Sequence, residues 1–368
     1  MVINGKNALD YARMGADTLM RKFTVSELPP KNRFHYHQGV FLSGMERTYF
    51  LSREKKYRDY IKDWMDYYID ENGKIRFDVH ARQFDDMQPA IMLFKLYEET
   101  GDARYRKVLD DFVPLVEMWP TNASGGFWHK YDRCNQMWLD TLYMIGPYSV
   151  MYADTFGKPY FYEKIYQQMN QMRRNMTDPK TGLLYHGWDD SKMMNWADKD
   201  TGLSPEFWGR AIGWYAVAIM DILDYLPFTH PRRNEFVSAG LDIINALIRF
   251  QDEKTGLWYQ VVDKGDHEGN WLETSSSSLY TYAIAKAVKK GFLHKSYARY
   301  IHKSYEGIIN SLRFEGENLI VSNICIGTSV GDYQFYIHRP TVENDLHGMG
   351  AFTLMCTEYY DTCKKMGL

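Results

Sequence analysis

Amphipathic stretches at helical period recur along the whole chain, and this recurrence constrains the fold more than any other feature. Helices are expected at about 7–22, 38–51, 53–69, 85–100, 102–117, 138–156, 158–175, 206–226, 232–250, 273–289, 295–313 and 343–364. They group into six pairs. Connections within a pair are short: Thr100-Gly101-Asp102 and Phe156-Gly157-Lys158 each put glycine just past a helix end, where a C-cap needs a left-handed residue. Connections between pairs are longer, and several share one signature. Asp178-Pro179-Lys180-Thr181-Gly182-Leu183 resembles Asp252-Glu253-Lys254-Thr255-Gly256-Leu257, and Gly125-Gly126-Phe127-Trp128 reads as a degenerate third copy. Glycine followed by alternating apolar and aromatic residues reads as a turn entering a short strand.

No Pro/Ser-rich linker or low-complexity run interrupts the pattern, so residues 1–368 read as a single catalytic domain. The simplest closure of six helical hairpins is an all-α (α/α)6 barrel with short strands in the rim loops. An open α-solenoid uses the same units and is the alternative. In a closed double ring the longer loops precede the same member of each pair, near 38, 85, 138, 206, 273 and 343. Six helix N-termini then converge at one mouth, and their dipoles favour anionic groups there.

Composition removes several function classes. Lys plus Arg is 44 against 47 for Asp plus Glu, a net charge of −3, so no basic field attracts nucleic acid. No apolar run is long enough for a membrane span. The N-terminus shows no apolar segment before a cleavage site, and the four cysteines lack CxxC spacing, so a reducing, cytoplasmic setting is expected. Aromatic residues make up 16% of the chain, which suits both packed helices and a sugar-stacking cleft.

Carboxylates, His, Arg and Trp concentrate at the expected rim. Phe34-His35-Tyr36-His37 precedes the first inner helix, and Phe84-Asp85-Asp86-Met87 opens the second. Asp85 and Asp345 stand where an N-cap belongs. Asp140 differs, because it lies inside the apolar run Met137-Trp138-Leu139 and Leu142-Tyr143-Met144; a carboxylate there is either buried and paired or functional. Arg210 falls in a first helical turn, a poor place for a cation unless it binds an anion or pairs a carboxylate. His186 alone reads as a hydrogen-bonding residue. Trp208 and Trp214 both suit a core, Trp214 more so. Ser275 to Ser278 read as capping and packing; there is no GxSxG elbow and no Gly-rich phosphate loop.

These residues carry a resemblance. Trp208-Gly209-Arg210-Ala211-Ile212-Gly213-Trp214 resembles the W-G-R-x-x-G-W motif of the unsaturated rhamnogalacturonyl hydrolases of glycoside hydrolase family 105, related to the unsaturated glucuronyl hydrolases of family 88. Trp138-Leu139-Asp140-Thr141-Leu142-Tyr143-Met144 looks like the family's catalytic segment, with the aspartate two residues after Trp138 rather than directly after it. Phe84 to Met87, Leu96 to Asp102 and Asn344 to Phe352 fit in order, so the likeness covers about 34–360.

The resemblance implies a small oligosaccharide substrate bearing a 4,5-unsaturated uronic acid, as lyases leave it, with the rhamnogalacturonan disaccharide foremost. The C4=C5 enol ether is hydrated, and neither metal nor organic cofactor takes part. By the same likeness Asp140 is the general acid, with a raised pKa from burial beside Trp138 and the second carboxylate of Asp85. Asp85 shares the proton network or holds a ring hydroxyl. Arg210 clamps the substrate carboxylate, and Lys130 adds a second positive charge. His186 bonds a hydroxyl or the water, while Trp208 and, more weakly, Tyr36 stack on the sugar; Trp214 completes the candidate substrate-binding set. The sequence leaves open whether Asp85 or Asp86 faces the cleft, and leaves the oligomeric state open. Two other readings compete: an inverting glycosidase using two carboxylates on a saturated substrate, and a non-enzymatic helical-repeat binding protein.

Overall fold

A computed structural model describes residues 1–76 and 83–368. Its long helices are α1 (Ala8–Lys22), α2 (Tyr36–Ser52), α3 (Lys55–Tyr68), α4 (Ile91–Thr100), α5 (Ala103–Glu117), α6 (Asp140–Phe156), α7 (Tyr160–Met176), α8 (Gly209–Tyr225), α9 (Arg233–Leu247), α10 (Thr274–Lys289) and α11 (Ala298–Asn310). A short α12 (Tyr333–Ile337) and the terminal α13 (Leu346–Met366) complete the set. Helices α2, α4, α6, α8, α10 and α13 each pack on the next, and α13 packs back on α2. That contact closes an inner ring and excludes the open solenoid. Helices α3, α5, α7, α9 and α11 lie outside it, and α1 seats against α13 and α2, so the first and last long helices form the sixth pair.

Residue choice explains which ring each helix joins. Inner helix α10 buries every residue from Thr274 to Val288, whereas outer helix α3 buries only Tyr57, Tyr60, Ile61, Trp64, Met65 and Tyr68 along one stripe. The closing seam depends on small residues. A Cβ on Gly350 would stand 2.5 Å from the Val40 carbonyl, and one on Gly44 would stand 1.9 Å from Thr353 Oγ1. Only glycine lets α2 and α13 approach this closely.

The expected helix at 85–100 starts later, at Ile91. Residues Phe84–Asp86 and Gln88–Ala90 form two 3-10 turns instead. Pro89 has no N–H for an α-helical bond. The two aspartates that would have capped the helix bond to other parts of the chain.

The rim loops carry short strands, but the stretches after the signature glycines make only isolated bridges, at Phe127, Leu184 and Tyr259. Strand β1 (Gln136–Trp138) pairs antiparallel with β2 (Gly187–Asp189), setting Trp138 opposite Gly187. Strands β3 (Arg313–Glu315) and β4 (Asn318–Ile320) pair with each other, as do β5 (Ile324–Cys325) and β6 (Thr341–Val342). The repeated loop signature is an aspartate turn. Asp178 accepts from the Thr181 amide at 2.8 Å and its hydroxyl at 2.7 Å, and Asp252 accepts the same pair from Thr255. Asp198 with Thr201 is a further copy, unread in the sequence because its Asp-Lys-Asp-Thr-Gly spacing swaps the middle residues. Among the described residues no helix is long and apolar enough to cross a membrane.

Candidate active site

A cleft of about 480 Å³ opens at the N-terminal end of the inner ring. Its walls come from the start of α2 (His35, Tyr36, His37), the 3-10 turn at Asp85, the 129–133 loop, the start of α6 (Trp138, Asp140, Met144) and the 327–339 segment. A larger chamber of about 570 Å³ opens at the opposite end of the barrel. There Lys286 is paired with both Asp221 and Asp224, Lys290 with Asp224, and Lys289 with Asp361, so most of its charges already neutralise one another. Of the residues that the sequence singled out, Tyr36, Asp85, Lys130 and Asp140 line the first cleft.

Asp140 is the first residue of α6, directly after β1. The β1–β2 ladder continues into a bond from the Leu139 amide to the His186 carbonyl at 3.2 Å. This register carries the His186 ring to Asp140, with Nε2 3.3 Å from Oδ2. His186 is fully buried, and its Nδ1 lies 2.7 Å from the Tyr336 hydroxyl. The expected upward shift of the Asp140 pKa is not what the surroundings produce. Burial pushes this carboxyl up, but His186, then His129 and the residue's own amide, hold it below the ordinary carboxylate value. A sequence shows the apolar neighbours of Asp140, not the histidine brought from 46 positions on.

Asp85, not Asp86, faces the cleft. Its Oδ2 is 2.8 Å from Lys130 Nζ and 3.9 Å from His35 Nε2. Burial opposes its ionisation, but Lys130, His129 and His35 together hold it well below the usual range. Asp86 points away and accepts from Arg33 and Gln83, each at 2.8 Å. Gly39 makes room for this turn, since a Cβ there would meet the Gln88 side chain at 1.8 Å.

Tyr36 is half-buried on the cleft wall, its hydroxyl 2.8 Å from His37 Nε2. Three expected contacts lie elsewhere. Arg210 is only 1% exposed, and its guanidinium donates to the carbonyls of Cys325 at 2.7 Å and Ile326 at 2.6 Å. It stands 3.9 Å from the buried Glu273 carboxylate and 4.5 Å from the Trp208 ring. Trp208 is buried beneath His186 and stacks on Tyr336 at 5.9 Å. Trp214 stacks on Tyr143 at 4.5 Å, as a core residue does.

One segment accounts for these displacements. Residues 324–342 lie across the start of α8, α10 and α13. The Cys325 amide donates to Glu273 at 2.9 Å, and its carbonyl also lies 3.2 Å from His347 Nε2. Half of the expected mouth is thereby covered.

The same segment brings in groups the sequence reading missed. Arg339 lines the cleft and donates to the Gly327 carbonyl, and Phe335 lines it too; Arg133 joins them from the 129–133 loop. His129 stacks on Trp138 at 4.1 Å and bonds Thr141 Oγ1 at 3.0 Å. Trp138, rather than Trp208, is thus the tryptophan at the cleft. His129 was legible next to Lys130, but Arg339 comes from the part of the chain where no motif marks a position.

Comparison with known proteins gives the family and the fold. The sequence profile described as Glycosyl Hydrolase Family 88 matches residues 11–363. An unsaturated rhamnogalacturonyl hydrolase of Bacillus subtilis, YesR, is 28% identical over 298 residues, 79% of each chain. A solved family 105 glycoside hydrolase from C. acetobutylicum superposes with a TM-score of 0.90 at 34% identity, covering 95% of this chain and 99% of that one. A possible family 105 member from Salmonella enterica superposes with a TM-score of 0.82 at 25% identity, covering 98% and 96%. An unsaturated glucuronyl hydrolase from Bacillus sp. GL1 shares the fold, with a TM-score of 0.69 at 12% identity over 94% of this chain and 95% of that one. A match to nearly the whole chain, with Asp140 and His186 paired at the mouth of the shared barrel, makes this protein a glycoside hydrolase of the family 88 and family 105 group.

Proposed function

We propose that the enzyme removes a 4,5-unsaturated uronic acid from the non-reducing end of lyase-generated oligosaccharides, the rhamnogalacturonan disaccharide foremost. Unsaturated-glycuronyl hydrolase activity follows from the family; the sugar and the residue roles are our reading. The observation that carries it is the Asp140–His186 pair in a cleft walled by cations. Lys130, Arg133 and Arg339 all line that cleft, and the substrate is an anion.

In this reading the Asp140 carboxyl delivers its proton to C4 of the enol ether, and water adds at C5 while returning a proton to Asp140. The C5 hemiketal opens to a ketone, C1 is left as a hemiacetal, and that hemiacetal expels the second sugar as an alcohol. Atoms balance with one water consumed. Asp140 has to be protonated for the first step, against its direction in the free protein. Bound substrate supplies the difference: it displaces water from the cleft and sets a carboxylate beside Asp140, and both effects favour the neutral acid. His186 orients the carboxyl, and Arg339 and Arg133 take the substrate carboxylate that was first expected on Arg210. Trp138 and Tyr36 provide the aromatic wall.

Asp85 is ion-paired with Lys130 at 2.8 Å, which suits holding a ring hydroxyl. The test follows the ultraviolet absorbance of the conjugated C4=C5 bond in unsaturated rhamnogalacturonan disaccharide. Wild type should bleach it and Asp140→Asn should not. Turnover of a saturated disaccharide without bleaching would replace hydration by ordinary inversion.

A further inference from the structure

We propose that His37, Asp345 and His347 form a binding site for one divalent transition-metal ion of the zinc class at the edge of the cleft. Nothing in the hydration chemistry calls for a metal, so the ion takes no part in the proposed bond-making steps. One potential ligand atom from each residue lies within 4.8 Å of the other two. His37 Nδ1 is 3.7 Å from Asp345 Oδ1, and His347 Nδ1 is 2.6 Å from the same oxygen. Donors around a tetrahedral zinc stand about 3.3 Å apart, given bonds of about 2.0–2.1 Å. Small side-chain adjustments bring the three atoms onto that spacing.

The second observation is a buried ring nitrogen held directly against the carboxylate of the same cluster. His347 is fully buried, and at 2.6 Å its Nδ1 is ion-paired with Asp345 Oδ1. An ion seated between His37, His347 and Asp345 would take the place of the proton that this pair shares. The outer contacts orient both rings for this role. His347 Nε2 lies 3.2 Å from the Cys325 carbonyl, which accepts its N–H, so Nδ1 is the atom an ion would take once its proton is displaced. His37 Nε2 lies 2.8 Å from the Tyr36 hydroxyl, which leaves Nδ1 turned toward Asp345. Asp345 is already fixed, since its Oδ1 caps α13 through the His347 amide at 3.1 Å.

Two imidazoles and one carboxylate select zinc, cobalt, nickel or ferrous iron over calcium and magnesium, which take mainly oxygen ligands. His37 also lines the cleft, so the open coordination position faces the substrate space, where water or a sugar oxygen completes the shell. Arg210 and the N-terminus of α13 are nearby positive features, so micromolar rather than nanomolar affinity is expected.

The experiment uses the full chain freed of metal by chelation and dialysis, titrated with zinc alone by calorimetry and with cobalt alone by visible absorption. Wild type should take up one equivalent, show cobalt bands of nitrogen and oxygen ligation, and melt at a higher temperature with zinc. Asp345→Asn keeps a capping side chain and removes the charge; it should bind zinc at least tenfold more weakly. His37→Gln should do the same, and it decides the matter if Asp345→Asn does not fold, because the His37 side chain caps no helix. No uptake by wild type in excess zinc would overturn the site. Equal uptake by wild type and His37→Gln would also overturn it, by putting the ion elsewhere.

Discussion

His186 Nε2 stands 3.3 Å from Asp140 Oδ2, and the pairing of β1 with β2 sets that separation. Two loops far apart in the chain thereby meet at the head of α6. The proton state of Asp140 is then decided by a contact rather than by its apolar neighbours.

The first prediction concerns this pair. Asp140→Asn should lower kcat by roughly 10³-fold or more, within or beyond the usual range for a lost general acid. His186→Ala should cost roughly 10²-fold and move the alkaline limb of the pH–rate profile upward, because the group that holds the Asp140 carboxyl down is gone. Steady-state rates across pH measure both. An unmoved profile in His186→Ala would separate the histidine from the acid.

Lys130 and Asp85 form a second pair, 2.8 Å apart, with Asp85 7% exposed. Lys130→Met leaves that carboxylate buried without its cation. The variant should lose about 2–3 kcal/mol of stability at pH 7, less than for a fully enclosed pair because Lys130 touches the open cleft. Restoring part of the loss with Lys130→Met/Asp85→Asn would confirm the coupling. Urea denaturation is the measurement.

Arg210 and Arg339 should separate cleanly. Arg210 holds the Cys325 and Ile326 carbonyls, so Arg210→Lys should lower the melting temperature, with a loss of about 2–4 kcal/mol for a broken buried network. Arg339→Met should leave stability nearly unchanged and raise KM about tenfold, the effect of losing one charge-assisted bond of about 1.5 kcal/mol. The reverse pattern would return the substrate carboxylate to Arg210.

Gly350→Ala places a methyl group 2.5 Å from the Val40 carbonyl at the ring's closing seam. Backbone cannot yield as a side-chain tip does. A destabilisation of about 2–3 kcal/mol is expected from overpacking, read by denaturant titration, with the catalytic rate per folded molecule little changed.

Acid should weaken the fold in two stages. Burial lowers His35 and His129 from 6.5 to about 4 each. The unfolded chain therefore binds more protons than the folded one between these values, and stability falls as pH drops from about 6.5 to 4. Below that, Asp85 and Asp140, both depressed in the folded state, add a further loss as they protonate. The first stage should be on the order of a few kcal/mol. His35→Gln should flatten the slope between pH 6 and 4 in denaturant midpoints; an unaltered slope would refute its share.

The barrel was legible in the sequence because helical period, C-cap glycines and alternating loop lengths are local properties. The 3.6-residue pattern is written into each segment, and twelve such segments with short and long connections alternate only one way around a ring. Asp140 was legible for the same reason, as a carboxylate inside an apolar run. Closure itself needed the tertiary structure, because it rests on the contact of α13 with α2 across most of the chain, where Gly44 and Gly350 act as a pair. So did the late start of α4, where partners on Arg33, Gln83 and Lys130 took the aspartates that would otherwise have capped a helix. Arg210 and Trp208 share a motif with the rim but are roofed by residues 324–342, whose path no periodicity announces. The direction of the Asp140 pKa also belongs to the tertiary structure, since electrostatic surroundings depend on distance in space, and His186 and His129 become neighbours only when the rim strands pair.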